Sequence, residues 1–118
     1  MTDLVACLSS GKGTWGHVGR LIAEGDFENI FLITNDFGKE NFSAEKETTM
    51  LIIDQRGSLL EMVDVIKEKL KGKIKGTEVA LNLVSGTGKE HMAILSALLK
   101  LGVGVRLIAL TTEGIKEI

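Results

Sequence analysis

Two glycine-punctuated segments carry the polar side chains that could bind an anion. The first is Ser9-Ser10-Gly11-Lys12-Gly13-Thr14, and the second is Ser85-Gly86-Thr87-Gly88-Lys89; each follows an apolar run. In the second segment Thr87 is placed to cap a helix, and Glu90, three residues on, completes the pattern of a capping box. A helix that begins there presents backbone N–H groups, hydroxyls and an ammonium group to phosphate or another anion.

Lys89 is the most informative cation of the two segments. An ammonium group at the positive end of a helix dipole is unfavourable, which favours a role in binding an anion over a side chain that simply points into solvent. His17 and His91 follow the two segments in early helical turns. Neither histidine has a cluster of cysteine, histidine or carboxylate residues around it in the sequence, so we predict no metal site.

Two nucleotide-binding motifs are partly matched. Gly11-Lys12-Gly13-Thr14-Trp15-Gly16 fits the dinucleotide pattern G-x-G-x-x-G, and Asp36 follows where an acid that binds ribose is expected. Lys12 and Trp15 are unusual where the backbone must approach a pyrophosphate closely. The second segment is similar to a Walker loop, but Leu83 stands at its first glycine and Glu90 replaces the Ser/Thr that binds Mg²⁺.

Composition limits the classes of protein to which the chain can belong. With 118 residues, we expect one domain over 1–118, too small for a cofactor domain plus a substrate domain. A content of 44% hydrophobic and 25% charged residues indicates a globular protein. The net charge of −2 argues against broad DNA binding by this chain.

Compartment and redox state follow from similar arguments. Cys7 is the single cysteine, so no intrachain disulfide can form, and its position in an apolar run predicts a buried side chain. No run approaches the roughly 20 apolar residues of a membrane span, and Asp3 stands where a signal peptide would be basic. The cytoplasm is therefore the expected location, with no membrane partner.

Apolar runs alternate with amphipathic segments along the chain. Strands are predicted over 4–8, 30–33, 50–53, 79–84 and 105–110. Helices are predicted from the first segment to about 23, from Ser58 to about 70 and from Thr87 to about 101, with Ser58 and Glu61 as a second capping box. Residues 37–46 form either a short helix or an ordered loop, and 111–118 trail off without regular structure.

Such alternation predicts an α/β fold, a Rossmann-like three-layer sandwich with a mainly parallel sheet. The simplest strand order is 3-2-1-4-5, which makes strands 1 and 4 neighbours at the point where the chain reverses direction across the sheet. Ligands of such sheets lie outside the carboxyl ends of the strands at this switch point. The two glycine-punctuated segments are therefore expected to face each other there.

The two segments together resemble a known family. Leu4-Val-Ala-Cys-Leu-Ser-Ser-Gly-Lys-Gly13, Asn82-Leu-Val-Ser-Gly-Thr-Gly-Lys-Glu-His-Met-Ala93 and Leu98-Leu-Lys-Leu-Gly-Val-Gly-Val-Arg-Leu-Ile108 resemble the CARF domain, the CRISPR-associated Rossmann fold. The resemblance covers nearly the whole chain. Family members often read Thr-Gly-Gly-Thr-Lys after strand 4, whereas this chain reads Ser-Gly-Thr-Gly-Lys, so either Ser85 or Thr87 would present the hydroxyl to a ligand.

The resemblance implies a homodimer that binds a cyclic oligoadenylate, most often the four-membered ring, across its two-fold axis. A ring with internal two-fold symmetry matches an isologous dimer. The implied ligand site, with Asn35 and Asp36 as contacts to adenine or ribose, consists of Ser9, Ser10, Gly11, Lys12, Gly13, Thr14, Asn35, Asp36, Ser85, Gly86, Thr87, Gly88 and Lys89. No cofactor is implied.

Three functions remain open within and beyond this resemblance. Some CARF proteins are ring nucleases that linearise the ring without a metal; in that reading Lys89 stabilises the developing charge and Ser10 holds the geometry in line. Others are sensor parts of transcription regulators, which here would lack the DNA-binding domain. Outside the family, the chain would be an unrelated Rossmann dinucleotide-binding protein.

Overall fold

The chain folds into an α/β sandwich around one sheet. The computed structural model describes residues 2–9 and 12–118. Its strands are β1 (Thr2–Leu8), β2 (Phe27–Thr34), β3 (Thr49–Ile52), β4 (Glu78–Asn82), β5 (Gly104–Thr111) and β6 (Gly114–Glu117). Its helices are α1 (Trp15–Glu24), α2 (Asp36–Asn41), α3 (Leu59–Leu70) and α4 (Gly88–Lys100), with a 3-10 turn at Lys12–Thr14.

The strand order is β3-β2-β1-β4-β5-β6, and every neighbouring pair from β3 to β5 is parallel. This confirms the predicted Rossmann-like fold and the predicted order of the first five strands. β1 and β4 are neighbours at the centre of the sheet, paired from Asp3 with Val79 to Ala6 with Asn82. The switch point therefore lies between the carboxyl ends of these two strands.

The prediction that 111–118 trail off without regular structure is wrong. These residues turn back and form β6, which pairs antiparallel with β5. The turn is closed by the Thr111 hydroxyl, which donates to the Gly114 carbonyl at 2.8 Å and accepts from the Glu113 N–H at 3.1 Å. Gly114 has a φ of +98°, which glycine adopts without strain. A two-residue turn followed by one glycine is a weak signal in a sequence.

Side chains of β1 alternate between two apolar layers, as the two-residue period of a strand requires. Leu4, Ala6 and Leu8 pack with α1, whereas Val5 and Cys7 pack with α3 and α4. All of these β1 side chains are inaccessible to solvent. The predicted inner face of α1 is confirmed, since its buried residues are Trp15, Val18, Leu21 and Ile22. The carboxyl end of β1 is thus held rigidly from both faces.

Helix caps fix where the loops at the carboxyl ends of the strands begin and end. Ser58 and Glu61 form the predicted capping box of α3. Residues 37–46, left open between a helix and a loop, contain most of the short helix α2, which is capped by the Asn35 side chain. Among the described residues no helix is both long and apolar enough to cross a membrane.

Candidate functional site

The loops that follow β1 and β4 are bonded to each other across the switch point. The Ser9 N–H donates to Ser85 Oγ at 3.0 Å, and the Ser85 hydroxyl donates to the Ser9 carbonyl at 2.9 Å. Ser9 and Ser85 are both fully buried. The expectation that the two glycine-punctuated segments face each other is confirmed. The Ser85 hydroxyl is engaged within the fold. We call the exposed edge formed by these two loops the rim; of Ser85 and Thr87, only Thr87 is exposed there.

Glu90 is the centre of the hydrogen-bond network beneath this rim. Its Oε1 accepts from Ser9 Oγ at 2.6 Å, from the Thr87 N–H at 2.8 Å and from Thr87 Oγ1 at 3.2 Å. Its Oε2 accepts from Gln55 Nε2 at 2.6 Å. One carboxylate therefore joins the loops after β1, β3 and β4. The same residue completes the predicted capping box of α4 with Thr87.

The environment of Glu90 keeps this carboxylate ionised although its side chain is only 1% exposed. Burial by itself raises the pKa of a carboxyl group, but the hydrogen bonds from Ser9, Gln55 and Thr87 outweigh burial, so the pKa of Glu90 lies below its ordinary value. Among the described residues, its negative charge is balanced by dipoles of hydroxyl, amide and backbone N–H groups, and no salt bridge contributes. Such a network is stable only while every member is in place.

Gln55 connects the network to the outer strands. Its Oε1 accepts from Asn35 Nδ2 at 2.8 Å, while its Nε2 donates to Glu90. The Asn35 Oδ1 in turn accepts from the Gly38 N–H at 2.8 Å and caps α2. The loop after β2, the loop after β3 and the start of α4 are therefore held in one arrangement.

Lys89 lies exposed at the rim, and backbone carbonyls hold its ammonium group. Its Nζ donates to the Gly57 carbonyl at 2.5 Å and to the Gln55 carbonyl at 3.3 Å. An ammonium group has three N–H donors, so this arrangement leaves one for a ligand. The structure thus fixes a positive charge at the carboxyl edge of the sheet, next to the start of α4.

Gly86 shapes the turn between β4 and α4. Its φ is +109°, and a Cβ added there would lie 2.6 Å from Cys7 Sγ. His91 Nε2–H donates to the Ser85 carbonyl at 2.8 Å and fixes the other side of the turn. Cys7 is buried as predicted, and burial together with the charge of Glu90 raises the pKa of its thiol to about 12. The thiol is therefore not a nucleophile near neutral pH.

Two positions on the rim are open to an approaching ligand. In the part of the chain that the structure describes, no atom lies within 4 Å of a Cβ added to Gly13 in the 3-10 turn or to Gly88 at the first turn of α4. The first turn of α4 also presents the N–H groups of Gly88 and Lys89, which have no partner within the helix. Thr14 is half-buried beside Gly13. The predictions for Ser10 and Gly11 lie outside the described residues, as does the side chain of Lys12.

His17 joins α1 to the ends of β4 and β5. Its Nε2 lies 3.1 Å from Asn82 Nδ2 and 3.3 Å from the Leu110 N–H, while Asn82 Nδ2 also donates to the Ile108 carbonyl at 2.9 Å. A backbone N–H can only donate, so Nε2 accepts and the imidazole is neutral with its proton on Nδ1. Burial lowers the pKa of His17 and favours the same neutral form. This histidine is a structural acceptor.

A cleft of about 550 Å³ opens beside the network, at the carboxyl ends of β2 and β3. It is lined by residues from two elements, α2 and β3, and from the two loops that follow β2 and β3: Asn35, Asp36, Phe37, Ile52, Ile53, Asp54, Gln55 and Arg56. Its volume lies within the range of small-molecule sites. Asn35 and Asp36, predicted as ligand contacts, line this cleft, whereas Ser85 to Lys89 form the rim across Gln55.

Sequence reasoning missed the contribution of the loop after β3. From the sequence, no role is assigned to Asp54, Gln55 and Arg56, which follow the predicted strand 50–53, and Glu90 is predicted only as part of a helix cap. The signal available was positional, because polar residues that follow a buried parallel strand lie at the ligand edge of the sheet. In the described ranges, 2–9 and 12–118, no group of three or more His, Cys, Asp or Glu residues could hold a metal ion.

The site places a fixed cation and the start of a helix beside a polar cleft. The cation and the helix start suit an anionic group such as phosphate, and the cleft suits a neutral polar group attached to that anion. The chain matches no model of a known protein family, and no curated protein matches it significantly.

Proposed function

We propose that this chain is the ligand-binding domain of a CARF-type sensor that acts in the cytoplasm and binds cyclic oligoadenylate, with the four-membered ring as its main ligand. The observation that carries the proposal is the pair of hydrogen bonds between Ser9 and Ser85, which makes the loops after β1 and β4 one continuous rim. These are the two loops on which the family resemblance rests. Lys89 and Gly88 stand on the same rim and supply a cation and open backbone to a phosphate.

A second copy of the chain is part of the proposal. Support comes from the outer face of α4, where Met92 is 62%, Leu95 38% and Leu99 64% exposed. These residues follow helical spacing and begin one turn after Gly88, so a partner that covered them would bring a second rim close to the first. Sedimentation should show a dimer that Leu99→Glu dissociates and that Leu60→Glu, on α3, leaves intact. A monomeric wild-type protein would contradict this part of the proposal.

Ring cleavage is a second activity that we propose for the same site. The 2′-hydroxyl of a bound ribose attacks the adjacent phosphorus, the bond to the 5′-oxygen breaks, and the proton lost by the nucleophile is matched by one gained by the leaving oxygen. Lys89 would stabilise the charge on the phosphate, and Ser10 would hold the hydroxyl in line. Neither role needs a metal, so a linear product should form in the presence of a chelator. If the rings remain intact after long incubation, the protein is a receptor without nuclease activity.

The direct test is calorimetric titration of the protein with cyclic tetra-adenylate and cyclic hexa-adenylate. Lys89→Ala should weaken binding by about 10- to 100-fold, the usual loss for one hydrogen bond to a charged group. Lys100→Ala, at the other end of α4, is the matched control and should bind like the wild type. Absence of binding to both rings would refute the proposed function.

A dinucleotide such as NAD is the second candidate, because Asp36 at the end of β2 lines the cleft where dinucleotide-binding proteins hold a ribose. The same titration with NAD separates the two candidates. Tighter binding of NAD than of either ring would favour this alternative.

A further inference from the structure

The cleft at the ends of β2 and β3 has the chemical character of a site for a sugar and a base rather than for a phosphate. Among the described residues, the ionisable side chains of its lining are Asp36, Asp54 and Arg56, which sum to one negative charge. A phosphate placed there would be repelled, whereas hydroxyl groups donate readily to carboxylates. The preferred occupant of the cleft is therefore a neutral group rich in hydroxyl donors.

Both carboxylates have acceptor capacity to offer. The Asp54 Oδ1 accepts from the Arg56 N–H at 2.9 Å and lies 3.5 Å from Arg56 Nε. The hydrogen bond from the Arg56 backbone N–H and, to a smaller extent, the nearby guanidinium hold the pKa of Asp54 below its ordinary value, so the carboxyl group is ionised. Among the described residues, no donor reaches its Oδ2, and the Asp36 side chain takes part in no hydrogen bond or ion pair.

An aromatic side chain is placed to cover a planar ring. Phe37 lines the cleft and is 51% exposed. Its ring packs against Trp15 with centroids 5.7 Å apart, which fixes the orientation of the ring. A half-exposed phenyl ring in a fixed orientation is a surface on which a nucleobase can stack.

The cleft is rigid and adjoins the fixed cation. The Ile53 N–H donates to the Thr34 carbonyl at 2.8 Å, which closes the sheet at the cleft floor. Gln55 lines the cleft, and its backbone carbonyl accepts a hydrogen bond from Lys89 Nζ. A phosphate on Lys89 and a sugar in the cleft would therefore be neighbours, as they are within one nucleotide.

We propose that the cleft of each protomer binds the ribonucleoside half of one nucleotide, with Asp36 and Asp54 accepting from the ribose hydroxyls and Phe37 stacking on the base. The phosphate of that nucleotide lies toward Lys89. This inference rests on the proposed function for the identity of the larger ligand, but the cleft is complete within one chain. It makes the site selective for ribonucleotides over deoxyribonucleotides.

The test uses adenosine 5′-monophosphate and its 2′-deoxy analogue as probes, titrated into isotopically labelled protein and followed by NMR. The ribonucleotide should bind about 10- to 100-fold more tightly, because the deoxy analogue leaves a carboxylate without its hydroxyl donor. Shifts should be concentrated at Phe37 and at Gln55. The double variant Asp36→Asn with Asp54→Asn should bind both probes equally, and Phe37→Leu should weaken both.

Matched controls are Asp64→Asn, an exposed carboxylate on α3, and Leu60→Ala, an exposed apolar residue on the same helix. Both should bind like the wild type. Thermal unfolding of each variant verifies that the fold is retained. Because asparagine keeps an oxygen for the Arg56 N–H, Asp54→Asn preserves the turn.

The outcomes separate this inference from the proposed function. If cyclic tetra-adenylate binds but the cleft variants bind it unchanged, the inference is overturned and the sensor function stands. If the mononucleotide binds in the cleft with a preference for ribose while neither ring binds, the cleft is supported and the sensor function falls. Equal affinity of wild-type protein for the two mononucleotides also overturns the inference.

Discussion

Replacing Glu90 by glutamine tests whether one buried carboxylate holds the candidate site together. Glutamine has nearly the same shape, but one carboxylate oxygen becomes an NH₂ group, so either the acceptor for Ser9 and Thr87 or the acceptor for Gln55 is lost. A hydrogen bond to a charged group contributes about 1.5–3 kcal/mol, and a donor left facing a donor costs about 1–3 kcal/mol. With the remaining bonds weakened but retained, we expect the free energy of unfolding to fall by roughly 2–4 kcal/mol.

Urea unfolding is the assay, followed by the fluorescence of Trp15, the only tryptophan. In thermal unfolding the same loss corresponds to a fall in Tm of roughly 10 °C for a chain of this length. Glu68→Gln is the matched control, because Glu68 is exposed on α3. A Tm for Glu90→Gln within about 2 °C of the wild type would refute the reasoning.

The pH dependence of the difference gives a second readout. The pKa of Glu90 in the folded protein lies below its ordinary value of 4.5, so its ionised form stabilises the fold. That contribution is complete above about pH 5.5 and is lost as the pH falls through 4.5 toward the folded pKa. The gap between wild type and Glu90→Gln should therefore narrow in acid. A gap that stayed constant across this range would contradict the assignment of the ionised form.

Three further predictions concern the surroundings of the site. Gly86→Ala should destabilise the protein by roughly 2–4 kcal/mol in urea unfolding, because the positive φ and the contact with Cys7 Sγ both oppose a Cβ; near-normal stability would contradict it. Cys7 should resist alkylation by iodoacetamide at pH 8 until the protein unfolds, since its pKa is raised to about 12 by burial; rapid native labelling would contradict this. His17 should titrate below its ordinary value of 6.5 and carry its proton on Nδ1, as measured by nitrogen NMR; a proton on Nε2 would contradict the bond from Leu110 N–H.

The order of the sheet could be predicted from the sequence because burial on both faces leaves a strong signal. Apolar runs mark β1, β2 and β4, with Asn82 as the one polar interruption of the fourth run, and right-handed crossovers leave few arrangements for these strands. The capping boxes at Ser58 and Thr87 were equally readable, since each depends on residues three apart. β6 was missed because it is a short, half-exposed edge strand whose signal is one turn glycine.

The hydrogen-bond network of the site could not be predicted from the sequence. The partners of Glu90 come from residues 35 and 81 positions away along the chain, Gln55 and Ser9. Sequence patterns report local periodicity and carry no information on which polar residues meet across loops. The same applies to Lys89. Its position at a helix start could be predicted from the sequence, but the backbone carbonyls of Gln55 and Gly57 that accept from its ammonium group could not.

The stoichiometry of cyclic tetra-adenylate binding, measured by calorimetry, tests the central claim most directly. A two-fold symmetric ring shared by two rims predicts saturation at one ring for two chains, with binding weakened about 10- to 100-fold in Lys89→Ala and unchanged in Lys100→Ala. Saturation at one ring per chain would contradict the shared site. No binding of the ring would contradict the account as a whole.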